Sequence, residues 1–280
     1  MSAAHGFVRP ATIARHAVLL LTAAFIMLPF VWMVSLSLKP SDEIFRASFS
    51  LLPDQWYALE NYKRVLTSAP LLRYMLNGVI VCAVILTVQI LICAPCAYAL
   101  AKLEFRGRDA LFALVLIGLL LPQQVLALPL FILGYSVGVL NTYAALVFPF
   151  VVSPFGIFLF RQFFRSIPDD IVHAARLDGL SELAIVWRIM MPMAMPAVIA
   201  FSIFSIVSHW NDLFWPLIAV NDQRLMPPPL GIMAFKNEET GTDYGPLMAA
   251  SSLVVLPLIV AFLAAQRWFV EGIAKGGVKG

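Results

Sequence analysis

The chain has 280 residues, 61% of them hydrophobic and only 12% charged, with a formal net charge of +3. Soluble domains carry about a quarter charged residues, so the composition excludes an ordinary water-soluble globule and predicts an all-α polytopic membrane protein, built from spans of about 20 apolar residues. The charge excess is small and forms no block of like sign, which excludes a nucleic-acid surface and an acidic or basic tail.

Several chemistries are excluded by their motifs. No G-x-x-x-x-G-K-[ST] stretch occurs, and Gly276–Gly280 lacks its spacing and hydroxyl, so the chain is not expected to hydrolyse ATP. There is no H-E-x-x-H and no zinc cluster. Cys93 and Cys96 have C-x-x-C spacing, but no second ligand pair accompanies them, and with Cys82 they fall in one apolar run, so they read as packing residues. The chain is expected to be no enzyme and to hold no cofactor or metal of its own.

Arg9 and Arg15 precede an apolar run from Ala17 to Leu38 without a clear small-residue cleavage site, which predicts a retained first span rather than a removed signal. Further apolar runs predict spans at about 73–101, 110–133, 143–162, 192–220 and 246–266, after a first at 17–38. That makes six spans in one membrane domain over residues 1–280, with both termini on the same side. Spans two to six each contain proline, which removes a donor and kinks a helix. Ordinary kinks and bent walls around a central path fit equally. Of the 19 Lys and Arg, twelve lie at the N-terminus, in the loop 102–109, in the central loop or in the tail, against seven on the other side. The excess of positive charge places the twelve, and both termini, in the cytoplasm.

In the second half of the chain, the longest polar interruption before the loop at Asn221 is the stretch 163–190. Ser166 and Asp169 have the spacing of a capping-box start, and Pro168 suits a first turn. Asp169 and Asp170 sit at the positive end of the predicted helix and Arg176 near its negative end. Gly179 supplies a left-handed stop. Ser181 can cap a second short helix, which Pro192 closes. Ala174 and Ala175 keep one flank thin, so another backbone could come close. A membrane-surface hairpin without a partner fits the same pattern.

The fifth run is crossed by Ser205, Ser208, His209, Trp210, Asn211 and Asp212. Ionisable residues in a span are costly and point to function. His209 and Asp212, three apart, share a helical face and can pair, which would suit a proton-coupled secondary transporter. Ser205, His209 and Asp212 also permit an intramembrane hydrolase, although three parallel side chains on one helix do not easily form a triad. A structural polar patch and a wall of a translocation path both fit this segment.

His173-Ala-Ala-Arg-Leu-Asp-Gly179, followed by Ile189, Met191 and Pro192, resembles the EAA loop of binding-protein-dependent ABC importer permeases. His173 stands where that family usually has Glu, and Met191 where it has Leu. Trp210-Asn-Asp-Leu-Phe-Trp-Pro-Leu217, Pro122-Gln-Gln124 with Pro129-Leu-Phe131, Gly138-Val-Leu-Asn-Thr-Tyr143 and Asn61-Tyr62 are similar to its recurring segments. The resemblance is to the smaller permease subunit of carbohydrate importers of the maltose and glycerol-phosphate type. It implies a MetI-like fold with cytoplasmic coupling helices, in the bacterial cytoplasmic (inner) membrane. It implies as partners a second homologous permease, a homodimeric ATPase that carries ATP and magnesium, an extracytoplasmic solute-binding protein and the lipid bilayer. The implied coupling residues are His173, Ala174, Ala175, Arg176, Asp178 and Gly179. The candidate path residues are His209, Asn211 and Asp212, with Gln123 and Gln124. The implied function is ATP-driven import of a sugar or sugar-like solute by alternating access.

Overall fold

The computed structural model describes residues 10–45, 50–236 and 242–277, and all regular elements among them are helical. In chain order these are α1 (Pro10–Ser37), α2 (Ser41–Ile44), α3 (Ala58–Ser68), α4 (Leu71–Lys102) and α5 (Arg108–Leu120). There follow α6 (Gln123–Val137), α7 (Tyr143–Val147), α8 (Pro154–Ser166), α9 (Asp169–Leu177) and α10 (Glu182–Ile185). The last are α11 (Met191–Met193), α12 (Met195–Trp210), α13 (Phe214–Ala219), α14 (Pro228–Gly231) and α15 (Tyr244–Gly277). Arg9, Arg46 and Lys279, which entered the charge comparison, lie outside the described residues.

Three segments are each long and apolar enough to cross a membrane, Ala14–Ser37, Leu71–Lys102 and Tyr244–Ala264, close to the spans read at 17–38, 73–101 and 246–266. The number reaches six when each of three bent helix pairs is taken as one span. The expected third span, 110–133, is not one helix: α5 and α6 meet at 101°. Leu121 precedes Pro122 and is extended (φ −78, ψ 122), as the clash of a proline ring with the preceding residue requires. The fourth breaks at 151–153 with a 46° bend before Pro154. The fifth, expected at 192–220, starts as the end of another arm. Glu182–Met193 runs on through a π-helical turn at Val186–Met190, passes Pro192, and meets α12 at 84°. Pro192 therefore does not close the second short helix; the break comes at Ala194. At its other end α12 stops at Trp210, and α13 begins only at Phe214.

By internal contacts the chain forms two compact units, Met1–Ala69 with Ala234–Leu253, and Pro70–Met233 with Val254–Gly280. In the first, the end of α1 is tied into the loop that follows. Asn61 donates to the carbonyls of Ser37 (2.9 Å) and Lys39 (2.8 Å). Lys39 is buried, donates to the Ser50 carbonyl (2.6 Å) and pairs with Glu43 (3.6 Å). Burial opposes ionisation of Glu43, but backbone donors at Asp54 and Gln55 and the Lys39 charge outweigh it and hold the carboxyl below its usual range. Ser41 and Arg64 both engage Asp243.

In the second unit α4 packs along α8. Small residues on α4 (Cys93, Ala94 and Ala97) are wholly buried and let α8 approach, with Phe160, Phe164 and Phe201 filling the remaining space. Close approach of this kind is what holds helices together in lipid, where burial of apolar area from water supplies little between spans. A second cluster joins Val81 and Ile85 to Ala145, Leu146, Trp215 and Ala219. The α14 turn lies against α4, and a Cβ on Gly231 would stand 2.1 Å from the Tyr74 ring. Tyr74 is fully buried and cannot yield. Gly231→Ala should therefore destabilise the protein by about 1–3 kcal/mol, an overpacking cost, read as a lower thermal midpoint in detergent; an unchanged midpoint would contradict this packing.

Candidate functional site

The stretch after α8 builds a short surface helix with defined ends. Ser166 is the last residue of α8 and its hydroxyl donates back to Phe163 (2.7 Å), so the capping box expected from Ser166 and Asp169 does not form. Pro168 holds the N-cap position, and Asp169 instead accepts from Lys102 of α4 at 2.5 Å. The Lys102 side chain is almost fully enclosed and also donates to the Ile167 carbonyl. At the other end Gly179 is left-handed (φ +81). Leu180 N–H reaches the Ala175 carbonyl and Gly179 N–H that of Arg176, the paired bonds of a Schellman stop. Ser181 caps α10 by accepting from Ala184 N–H, as its sequence position predicts.

Glu182, the first residue of α10, then closes a three-way contact. Arg176 donates to it through Nε (2.8 Å) and Nη2 (3.2 Å), and Tyr98 of α4 through its hydroxyl (2.5 Å). Arg176 and Tyr98 hold the Glu182 carboxyl below its usual range, and Lys102 does the same for Asp169. Two polar anchors thus fasten α9 and α10 to the end of α4.

The expected coupling residues fall on different faces. Ala175 is only 4% exposed and seats with Val172 in the α4–α8 core, and Arg176 is turned to Glu182. His173, Ala174, Asp178 and Gly179 are exposed. Beside them is Leu177, 89% exposed and not singled out in the sequence. His173 lines a polar recess of about 520 Å³ with Lys102, Glu104, Arg108 and Asp169.

A second feature lies deeper in the same unit. A cleft of about 390 Å³ is lined by α4, α5, α6 and α12 and by the breaks between helices, and it gathers His209, Asp212, Gln123 and Gln124. Asn211 is not among its walls; its amide donates to the Val207 carbonyl (2.8 Å). His209 and Asp212 do not pair among the described residues. Because α12 ends at Trp210, the helical spacing no longer holds at Asp212, whose carboxylate accepts from Trp215 N–H (3.3 Å). The polar centre is Gln89, which the sequence reading passed over although it is an amide inside an apolar span. It accepts from the Ser205 hydroxyl (2.7 Å), donates to the Phe150 carbonyl (2.9 Å) and lies 3.4 Å from His209 Nε2. Ser205 is therefore committed to Gln89 rather than to His209, and the triad does not form. The Phe150 ring stacks at a tilt on His209, 4.6 Å between centroids. The cleft thus offers hydroxyl, amide, imidazole and carboxylate groups between aromatic faces.

Two outcomes check this geometry. Gln89→Leu strands the Ser205 hydroxyl and the Phe150 carbonyl and should cost about 1–3 kcal/mol per unsatisfied group, read by thermal unfolding; Ser205→Ala should cost less. For the anchors, a carboxylate with a depressed folded-state value stabilises above its ordinary value, 4.5 for Glu182, and that stability is lost as pH falls through the folded value. Hydrogen-exchange protection of α9 should hold at pH 5 to 7 and fall below 4.5. Glu182→Gln should start lower and lose less in the acid range, the remaining loss coming from Asp169. Equal profiles would rule out the Glu182 anchor.

Residues 92–275 match the family described as "Binding-protein-dependent transport system inner membrane component". The chain is 37% identical over 254 residues to the "Probable ABC transporter permease protein YurM" of Bacillus subtilis, covering 90% of this chain and 83% of the relative. It is 34% identical to the arabinooligosaccharides transport system permease protein AraQ of Halalkalibacterium halodurans, over 92% of this chain and 93% of the relative. To the trehalose/maltose transport system permease protein MalG of Thermococcus litoralis it is 32% identical, over 93% and 94%. Among solved structures, a chain of a bacterial ABC transporter involved in import of the acidic polysaccharide alginate superposes with a TM-score of 0.80 at 22% identity, covering 94% of this chain and 99% of the other, and shares its fold.

Proposed function

The chain belongs to the family of binding-protein-dependent transport system inner membrane components, and from that premise we propose that it is the permease subunit of an ATP-driven importer of a sugar or sugar-like solute. The relatives named for arabinooligosaccharides and trehalose/maltose support the carbohydrate class. The hydroxyls, amides and aromatic faces of the cleft suit hydroxylated rings, and His209, Asp212, Gln123 and Gln124 are its path candidates. The partners are a second homologous permease, a homodimeric ATPase holding ATP and magnesium, and an extracytoplasmic solute-binding protein. The protein resides in the cytoplasmic membrane with both termini inside.

The observation that carries this reading is α9: an exposed helix whose inner face is part of the spanning core and whose outer face presents Ala174 and Leu177, with Gly179 in the turn just beyond. Docking of this face on the ATPase would bury Leu177, a gain of about 1.5–3 kcal/mol. ATP closes the ATPase pair, α9 follows, and the spans move between outward and inward access. ATP shifts that equilibrium only by as much as it favours the closed state. His173, in place of the family's Glu, would offer the ATPase a hydrogen bond rather than an ion pair.

Pull-down of the tagged chain from native membrane should recover an ATPase and a second permease. Ala174→Glu and Leu177→Ser should each cut solute uptake at least tenfold and weaken ATPase recovery, while detergent thermal stability stays within a few degrees of wild type. Normal uptake by both variants, or recovery of the chain alone under mild detergent, would sink the proposal.

A further inference from the structure

Arg161 of α8 is only 6% exposed, yet no carboxylate contacts it among the described residues. Its Nε donates to the Leu100 carbonyl (3.1 Å), one of the unpaired carbonyls at the end of α4. Its guanidinium carbon stands 3.6 Å from the centre of the Phe112 ring of α5. A guanidinium has five donors, and these contacts use only the one at Nε. No buried side-chain nitrogen is left unsatisfied among the described residues, so the remaining donors are not fully sealed from the surface.

Other cations gather at that opening. Arg165 is four residues on, on the same face of α8 and exposed. Arg108 begins α5 and donates to the Leu103 carbonyl. Arg108 stands one turn before Phe112, the ring that the Arg161 guanidinium covers. Asp109 is well exposed and already paired with Arg108 at 3.3 Å. Three guanidinium groups against Asp109 and Glu104, which line a recess with Arg108, leave a surplus of one positive charge. Next to the cations the surface turns apolar: α5 has no fully buried residue, and Leu111 and Leu114 are 50% and 62% exposed.

We propose that Arg108, Arg161 and Arg165 form a binding site for the headgroup of an anionic phospholipid, with its acyl chains along Leu111 and Leu114. The planar fork of Arg161, held by Leu100 and Phe112, is set to bind phosphate oxygens. A free phosphate would use the cations but not the apolar wall. An acidic loop of a partner protein would not need that wall either. The site rests on the spans alone and not on the identity of the transported solute.

The test is native mass spectrometry of the intact transporter in phosphatidylcholine nanodiscs titrated with dioleoyl-phosphatidylglycerol. Wild type should retain phosphatidylglycerol. Arg165→Gln, an exposed change that leaves the fold intact, should weaken retention about fivefold, the effect of one cation near an anionic headgroup. Arg161→Gln should weaken it further, and Arg188→Gln, outside the cluster, should not change it. Retention unaffected by Arg165→Gln would overturn the proposal. So would displacement of the lipid by millimolar inorganic phosphate, which would mark a free-anion site, or loss of ATPase recovery in Arg165→Gln with lipid retained, which would mark a protein contact.

Discussion

The seating of Val172 and Ala175 in the core between α4 and α8 is the constraint on which the rest of the structure depends. Interiors packed at crystal density do not deform continuously, so α9 behaves as the rim of the spanning bundle rather than as a loop hung from it. The small residues at positions 93, 94 and 97 make this possible by letting α8 lie close to α4. The polar anchors then set orientation. Exposed ion pairs contribute little in water, but the Lys102 side chain is enclosed, and the Tyr98–Glu182 bond sits directly over the apolar core. Side chains from both ends of the stretch 163–190 therefore return to the same helix.

Three of the helix breaks share a location. Leu121, Val152, Ser153 and Asp212, which lie at or beside three separate breaks, all line the one cleft. Non-helical backbone at membrane depth is tolerated only where protein or water satisfies it. Here side chains supply much of that: Gln89 donates to the Phe150 carbonyl, Ser153 accepts from Gly156 N–H, and Asp212 from Trp215 N–H. The polar residues crossing the fifth apolar run are thus partly the means by which the chain can stop being helical there. A structural patch and a cavity wall overlap here: Ser205, Ser208, His209 and Asp212 line the cleft, while Trp210 and Asn211 do not.

What could be read from the sequence was local. Gly179 and Ser181 announce their turn and cap because both act within a few residues. The unbroken apolar runs at 73–101 and 246–266 announce α4 and α15 because composition alone defines a span. Hydropathy averages over a bend, so the 101° turn at Pro122 was invisible as an angle, although a proline with an extended neighbour was its trace. The error at His209 and Asp212 came from extending helical spacing past Trp210, where the helix had ended. Tyr98 and Glu182 are 84 residues apart, and Gln89 and Ser205 are 116 apart; no periodicity connects such partners. Ala175 seemed equivalent to Ala174 because a short amphipathic helix shows its two faces only once something packs against one of them.

Both features of the second unit belong to one helix. Gln89 and Tyr98 lie nine residues apart on α4, about 14 Å at 1.5 Å per residue. Pro95 lies between them inside the same helix, where it removes one backbone bond without ending it. A displacement imposed on α9 would be passed to the end of α4 through Lys102 and Tyr98, and would bear on the cleft through Gln89, whose amide joins α4 to α12 and to the Phe150 break. A rigid α4 would carry the displacement to Gln89 undiminished. A bend at Pro95 would absorb part of it as a change of angle, which would still reorient the Gln89 amide between its fixed partners. In either case Gln89 cannot keep both the Ser205 hydroxyl and the Phe150 carbonyl if α4 moves relative to α12.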